Sequence, residues 1–197
     1  MIITIARQCG CGAVRVGRLL AEHYGIPFYT RKNLMEMASQ RGVLDEMEAF
    51  FDERPVDELL FAMSSFGESH KDLTEHPLRT LADMIGDENC IIIGRCGNYI
   101  FRHRKDLVSV FLSGHHDARV AEIQEEEHLS AEEAQDFMEH IDDCRVAYHK
   151  YYTGLTWGNA DDYDICLDTT RLGVEETAQM IESYISFLDG KDKASRG

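Results

Sequence analysis

Basic residues are scarce in this sequence: 20 Lys and Arg stand against 36 Asp and Glu, a formal net charge of −16. Partners dense in phosphate, such as nucleic acid or an anionic membrane surface, need a basic face, so binding of that kind is excluded. Long apolar runs are missing too. None approaches the ~20 residues a membrane-spanning helix requires, and residues 1–12 lack the basic-then-apolar layout of a signal peptide, so a cytoplasmic protein is expected. The six cysteines, Cys9, Cys11, Cys90, Cys96, Cys144 and Cys166, show no framework spacing. A chain of this length needs no covalent staples, so reduced thiols are expected. The nine histidines form neither an H-E-x-x-H helix nor a C-x₂-C…H-x₃-H set, which leaves no ligand spacing for a structural metal. The adjoining His115 and His116 would point roughly 100° apart on a helix and make poor joint ligands. Internal repeats and low-complexity segments are absent as well.

What the chain does contain is alternation. With 197 residues, 44% of them apolar, it can bury a core, and intrinsic disorder is excluded. Ile2–Ala6 reads as a buried strand. After two glycines comes an amphipathic helix with Val16, Leu19, Leu20 and His23 at helical spacing, ended by Gly25-Ile26-Pro27. Phe28–Tyr29 forms or opens a second strand, and Thr30 caps a helix over Arg31–Gly42. Residues 45–88 are mostly helical with breaks at Pro55 and near Pro77, and Gly86-Asp87-Glu88-Asn89 stops that stretch. Apolar strands follow at Cys90–Ile93 and Leu107–Leu112, then a helix over Asp117–His128. Ser130-Ala131-Glu132-Glu133 is a capping box that opens a long helix to about Tyr151. Tyr163–Leu167 reads as the last strand, Val174–Leu188 as a closing amphipathic helix, and residues 189–197 as a flexible tail. Strands separated by helices predict a parallel sheet covered on both faces, with its ligand beyond the carboxyl ends of the strands.

Those strand ends carry arginine. Arg7 lies in the turn after the first strand, Arg95 ends Cys90–Ile93, and Arg119 lies just past Leu107–Leu112. In so acidic a chain, converging guanidinium groups call for an anionic ligand. The first turn, Arg7-Gln8-Cys9-Gly10-Cys11-Gly12-Ala13-Val14, joins strand to helix through two glycines. Such a turn exposes backbone N–H groups at a positive helix end, a seat for phosphate oxygens. The full pattern G-x-x-x-x-G-K-[ST] asks for Gly at Arg7, Lys at Ala13 and Ser or Thr at Val14. Only Gly12 meets it, and a tight structural turn accounts for the same residues. Arg15 sits about 200° around the helix axis from Ala13 and is expected to face away. Cys9 and Cys11 read either as a redox pair at a helix N-terminus or as small residues suited to a crowded loop. No Lys or Arg lies between Glu122 and Asp143, which reads as a solvated face or a dock for a basic partner.

A set of separated motifs runs along the chain in order: Ile3-Thr4-Ile5-Ala6-Arg7-Gln8-Cys9-Gly10-Cys11-Gly12-Ala13-Val14-Arg15-Val16-Gly17, Gly25-Ile26-Pro27-Phe28-Tyr29, Ile93-Gly94-Arg95-Cys96-Gly97-Asn98-Tyr99-Ile100, Asp142-x-x-Arg145-x-x-Tyr148, Tyr151-Tyr152-Thr153-Gly154 and Tyr163-Asp164-Ile165. Together they resemble the cytidylate kinase-like proteins, bacterial relatives of the nucleoside monophosphate kinases, over nearly the whole chain. The resemblance implies an α/β, P-loop kinase-like three-layer fold, a five-stranded parallel sheet flanked by helices, as a single domain over residues 1–190. It further implies a helical insertion at about 30–88 that binds the nucleoside monophosphate and a lid at 114–155. The implied partners are small-molecule nucleotides, with ATP as donor, magnesium carried by the nucleotide, and CMP or dCMP as the first acceptors to consider.

Carried over position by position, Gly10 and Gly12 would cradle the donor phosphates, with Arg7, Cys11, Ala13 and Val14 completing the loop. Arg95 would grip the acceptor's phosphate, with Thr30 and Arg31 beside it. Arg119 and Arg145 would bring charge to the moving phosphoryl group, and Asp142, three residues before Arg145 on one helix face, would hold that guanidinium. Read without the resemblance, Arg119 pairs with acids of its own helix and Asp142–Arg145 is an ordinary surface pair. The chain also departs from the family pattern. Loss of a preorganised charge such as the loop lysine slows chemistry by roughly 10²–10³. Val14 offers magnesium no oxygen, and Gln8 and Thr30 stand where relatives often carry acids. Two functions follow: phosphoryl transfer from ATP to a nucleoside monophosphate, or nucleotide binding without effective turnover, serving regulation or scaffolding.

Overall fold

The structure, a computed structural model, describes residues 1–52 and 68–194. Five strands, β1 (Ile2–Arg7), β2 (Phe28–Tyr29), β3 (Cys90–Ile93), β4 (Leu107–Ser113) and β5 (Ile165–Asp168), form one sheet in the order β2-β3-β1-β4-β5. Every pairing is parallel, and Ile3 of β1 lies opposite both Ile91 and Val108. After β1 the chain goes to the edge strand β2 and returns to β3 beside β1, then crosses to the other side for β4 and β5. The carboxyl end of β1 is therefore the switch point at which a doubly wound sheet opens a crevice.

The strands are apolar almost throughout because both faces are covered. Ile3, Ile5, Ile91, Ile93, Val110 and Leu112 pack against α1 (Ala13–Tyr24) and α9 (Val174–Ala194). The alternate residues Ile2 and Ile92 face the other layer. There α2 (Arg31–Gln40), α3 (Leu44–Phe51), α4 (Glu68–Ile85) and the end of α7 (Ala131–Thr153) bring Leu34, Phe50, Leu81 and Tyr148. Each fully buried side chain of this size contributes about 1.5–3 kcal/mol. A third cluster joins α6 (His116–Glu127) to α7 through Val120, Ile123, Ala134 and Met138, and includes Cys9. It seats that helix pair on the turn after β1. Two short helices, α5 (Gly97–Ile100) and α8 (Thr169–Leu172), follow β3 and β5. Among the described residues no helix is long and apolar enough to cross a membrane.

The capping box at Ser130–Glu133 forms, and Gly25 ends α1 in a left-handed conformation. Three expectations are corrected. The break near Pro77 does not occur: α4 runs through it, because Leu78, Leu81, Met84 and Ile85 gain burial that outweighs one lost backbone hydrogen bond. The closing helix does not stop at Leu188 but continues to Ala194. The last strand begins two residues later than expected, since the Asp164 carboxylate accepts from the Ser109 N–H and hydroxyl before strand pairing starts. The expected break at Pro55 lies outside the described residues, as does part of the 30–88 stretch.

Candidate functional site

Between β1 and α1 the chain turns through two residues in left-handed conformation, Gly10 (φ +74°) and Gly12 (φ +57°). At Gly10 a side chain would put its first carbon 2.7 Å from the Arg119 carbonyl oxygen, and backbone cannot step aside as a flexible side chain could. Gly12 is the N-cap of α1 and has no side chain to cap it, and the first turn of α1 carries no acid. Among the described residues no protein acceptor meets the amides of residues 10–14. A helix end left bare in this way presents donors and positive potential to an anion.

On one side of this turn, Arg7, Arg95 and Arg145 line a small cavity of about 20 Å³, together with Thr4, Asn98 and His149. Arg7 reaches it by lying over Gly94, where a side-chain carbon would come within 2.5 Å of its guanidinium. Arg95 is held in the sparsely populated left-handed region (φ +56°) and is 4% exposed. Its guanidinium donates to the Phe50 carbonyl at 3.0 Å, at the end of α3, and lies 5.5 Å from the Tyr148 ring centre. Arg145 donates to the Arg7 carbonyl and to Asp142, each at 3.3 Å.

Asp142 is the knot of the arrangement. Its carboxylate accepts from the Cys9 N–H at 2.7 Å and from Arg119 at 2.6 Å, besides Arg145. Arg119, 8% exposed, also donates to the Cys9 carbonyl and stands behind the turn rather than in the small cavity. It pairs with α7, not with acids of its own helix, and the Asp142–Arg145 pair is nearly buried, not an ordinary surface pair.

On the other side of the turn opens a cavity of about 570 Å³, the scale of a nucleotide site. Gly10, Cys11 and Gly12 form one wall and Thr169, Thr170 and Val174 the other. Arg15 also lines it, which corrects the expectation that this side chain faces away. Side chains on a helix lean toward its N-terminus, and Arg15 is long enough to bring its guanidinium back beside Gly12.

The remaining candidates stand elsewhere. Thr30 caps α2, where the Asn33 side-chain Oδ1 accepts from its N–H and hydroxyl, and Arg31 pairs with Asp52. Neither lines the two cavities. Ala13 is buried in the core and Val14 is exposed. Gln8 accepts from the Gly114 N–H. Burial pushes the Cys11 thiol up to about 11, against a smaller opposing hydrogen bond from Thr169, and burial raises Cys9 as well. That is the reverse of a low-pKa redox pair. None of the six cysteines forms a disulfide. Among the described residues no group of three His, Cys, Asp or Glu side chains is placed to hold a metal ion.

Sequence reasoning passed over four contributors. His149, 3% exposed, lines the small cavity with its Nε2 unpartnered, and burial depresses it to about 4, so the ring is neutral. The Thr4 hydroxyl, also unpartnered, lines the same cavity. Thr169 and Thr170 close the large one, where Asp168 accepts from the N–H groups of Thr170 and Arg171. A signal existed for His149, which is four residues after Arg145 and so on its helix face.

A model of the cytidylate kinase-like family matches residues 2–171. A cytidylate kinase of Methanopyrus kandleri is 24% identical over 197 residues, covering 95% of this chain and 94% of its own. Among solved structures, an uncharacterized protein from Eubacterium ventriosum superposes with a TM-score of 0.73 at 26% identity, over 94% of this chain and 98% of that one. A shikimate kinase from Bacteroides thetaiotaomicron shares the fold, with a TM-score of 0.55 at 14% identity and coverage of 94% and 98%.

Proposed function

The chain belongs to the cytidylate kinase-like family, and from that premise we propose that it transfers the terminal phosphoryl group of ATP to a nucleoside monophosphate, CMP or dCMP first. One observation carries the reading. A turn with unpartnered amides separates a nucleotide-sized cavity from a small cavity ringed by three guanidinium groups. In this reading the donor nucleoside occupies the large cavity, with its phosphates on the amides of residues 10–14. The acceptor's phosphate meets Arg7, Arg95 and Arg145.

Phosphoryl transfer needs little covalent help. It needs the acceptor oxygen in line and positive charge around the moving group. Planar guanidinium forks from β1, the turn after β3, and α7 supply both, because each takes two oxygens. Asp142 and Arg119 are positioning residues that fix Arg145 and the turn. Residues 114–155 act as the lid and exclude water on closing, and residues 30–88 hold the acceptor's nucleoside. Val14 gives magnesium no ligand, so the metal arrives as the counterion of the nucleotide.

A second reading is favoured by the missing loop lysine and by the Asp142 carboxylate seated on the Cys9 amide: a nucleotide-binding protein with weakened turnover. A coupled assay over a panel of monophosphates separates the two, with Arg95→Ala as control and its folding checked by thermal melting. Turnover lost with that change supports the kinase. ATP binding with no turnover on any acceptor refutes the kinase in favour of the second reading.

A further inference from the structure

We infer that Arg15 supplies the cation that holds the donor's polyphosphate, in place of the lysine absent at Ala13, and that Glu122 is the group it leaves to do so. The inference rests on the donor site proposed above and assigns it a residue that the loop pattern does not contain. Three observations converge on it. The first is position: the guanidinium Nη2 and Nε lie 3.2 and 3.5 Å from where a side-chain carbon on Gly12 would be, so the charge hangs over the N-cap of α1. From there it borders the large cavity, on the same wall as Gly10 and Cys11.

The second is the state of its pairing. Arg15 is tied to Glu122 of α6, across the mouth of that cavity, and the Arg15 side chain is 52% exposed. A pair so open to water is weak and exchanges readily for a better anion. Glu122 is crowded by Glu126, whose carboxyl is pushed up by burial and then by the Glu122 charge. Arg15 therefore serves as shared counterion to an acidic patch, not as a clamp whose loss would open the fold.

The third is the balance of charge. The charged lining of the cavity is Arg15 and Arg18 against Glu22, Glu122 and Glu175, so a polyphosphate there needs a cation at its own oxygens, and Arg15 is the one that hangs over the bare amides. A nucleoside triphosphate brings several negative charges and many acceptor oxygens to the guanidinium that the Glu122 carboxylate now holds. A guanidinium at position 15 reaches the phosphates from the nucleoside side of the turn, where a lysine at position 13 would reach them from within the loop.

The test is calorimetric titration of magnesium ATP, and separately of CMP, into the full chain. Arg15→Gln weakens ATP at least tenfold, Arg15→Lys weakens it less than threefold, and Glu122→Gln tightens it threefold or more. CMP affinity is unchanged in all three, and each variant melts like the parent. Arg18→Gln, one helical turn further from Gly12, costs less than Arg15→Gln. If Arg15→Gln binds ATP within twofold of the parent, or Glu122→Gln weakens ATP as much as Arg15→Gln does, the assignment to Arg15 is overturned while the donor site stands. A parent chain that takes up no ATP at all overturns the donor site and this inference with it.

Discussion

Replacing Asp142 with alanine removes the carboxylate that three donors share, while Arg119 keeps the Cys9 carbonyl and Arg145 the Arg7 carbonyl. The Cys9 N–H at 2.7 Å, Arg119 at 2.6 Å and Arg145 at 3.3 Å lose their shared acceptor. The two guanidinium side chains are only 9% and 13% exposed, so water compensates them poorly. Breaking a buried ion pair by deleting one partner costs about 3–5 kcal/mol. Asp142 is itself 16% exposed, which admits some solvent and places the expected loss near the lower end, about 3 kcal/mol. For a chain of this size that lowers the melting temperature by about 6–12 °C. Asp142→Asn keeps the shape and loses the charge, and falls roughly halfway between. The vacated seat, ringed by two guanidinium groups and an amide, then takes an inorganic anion, so added phosphate stabilises Asp142→Ala more than it stabilises the parent. Urea and thermal unfolding of the three proteins, with and without phosphate, measure this. A loss below about 1 kcal/mol, or equal stabilisation of all three by phosphate, would refute the reasoning that the knot is buried and anion-shaped.

Gly10→Ala and Gly25→Ala both force a side chain into a left-handed backbone, but only Gly10 has a backbone oxygen 2.7 Å away, while Gly25 faces open space. Gly25→Ala is expected to cost about 1 kcal/mol in urea unfolding and Gly10→Ala clearly more, and equal costs would contradict the close approach. His149 is depressed from 6.5 to about 4 in the folded state, so below 6.5 the unfolded chain takes the proton and the folded one does not. Its contribution is intact above pH 6.5 and is lost as pH falls toward 4, by up to about 3 kcal/mol. His149→Gln should flatten that part of the stability profile, and parallel profiles would count against a buried neutral ring. Cys9, Cys11, Cys90, Cys96 and Cys144 are buried and Cys166 is exposed. One thiol should therefore react promptly with a disulfide reagent at pH 8, and its absence in Cys166→Ser confirms which. Prompt reaction of Cys11 would show the turn to be open.

The sheet was legible because its strands are short apolar runs between glycines and helical periodicity. The shared pocket of Arg7, Arg95 and Arg145 was foreshadowed by arginines at strand ends and by Asp142-x-x-Arg145 on one helix face. Pro77 misled because a lost hydrogen bond is visible in sequence, whereas the burial that offsets it is not. Arg15 misled for a related reason: helical angle fixes where a side chain leaves the axis, and a long side chain ends elsewhere. The role of Asp142 as acceptor for a main-chain N–H 133 positions away is a tertiary fact with no local signature. His149 carried a signal, its spacing from Arg145, but a lone histidine on a buried helix face reads first as core.

The most direct measurement is a crystal structure of the chain with a bisubstrate analogue in which adenosine and cytidine are joined through a polyphosphate chain. The account predicts adenosine in the cavity bordered by Thr169 and Thr170, the phosphates on the amides of residues 10–14, and the far phosphate between Arg7, Arg95 and Arg145. Binding of the analogue anywhere else, with those amides and guanidinium groups untouched, would contradict it.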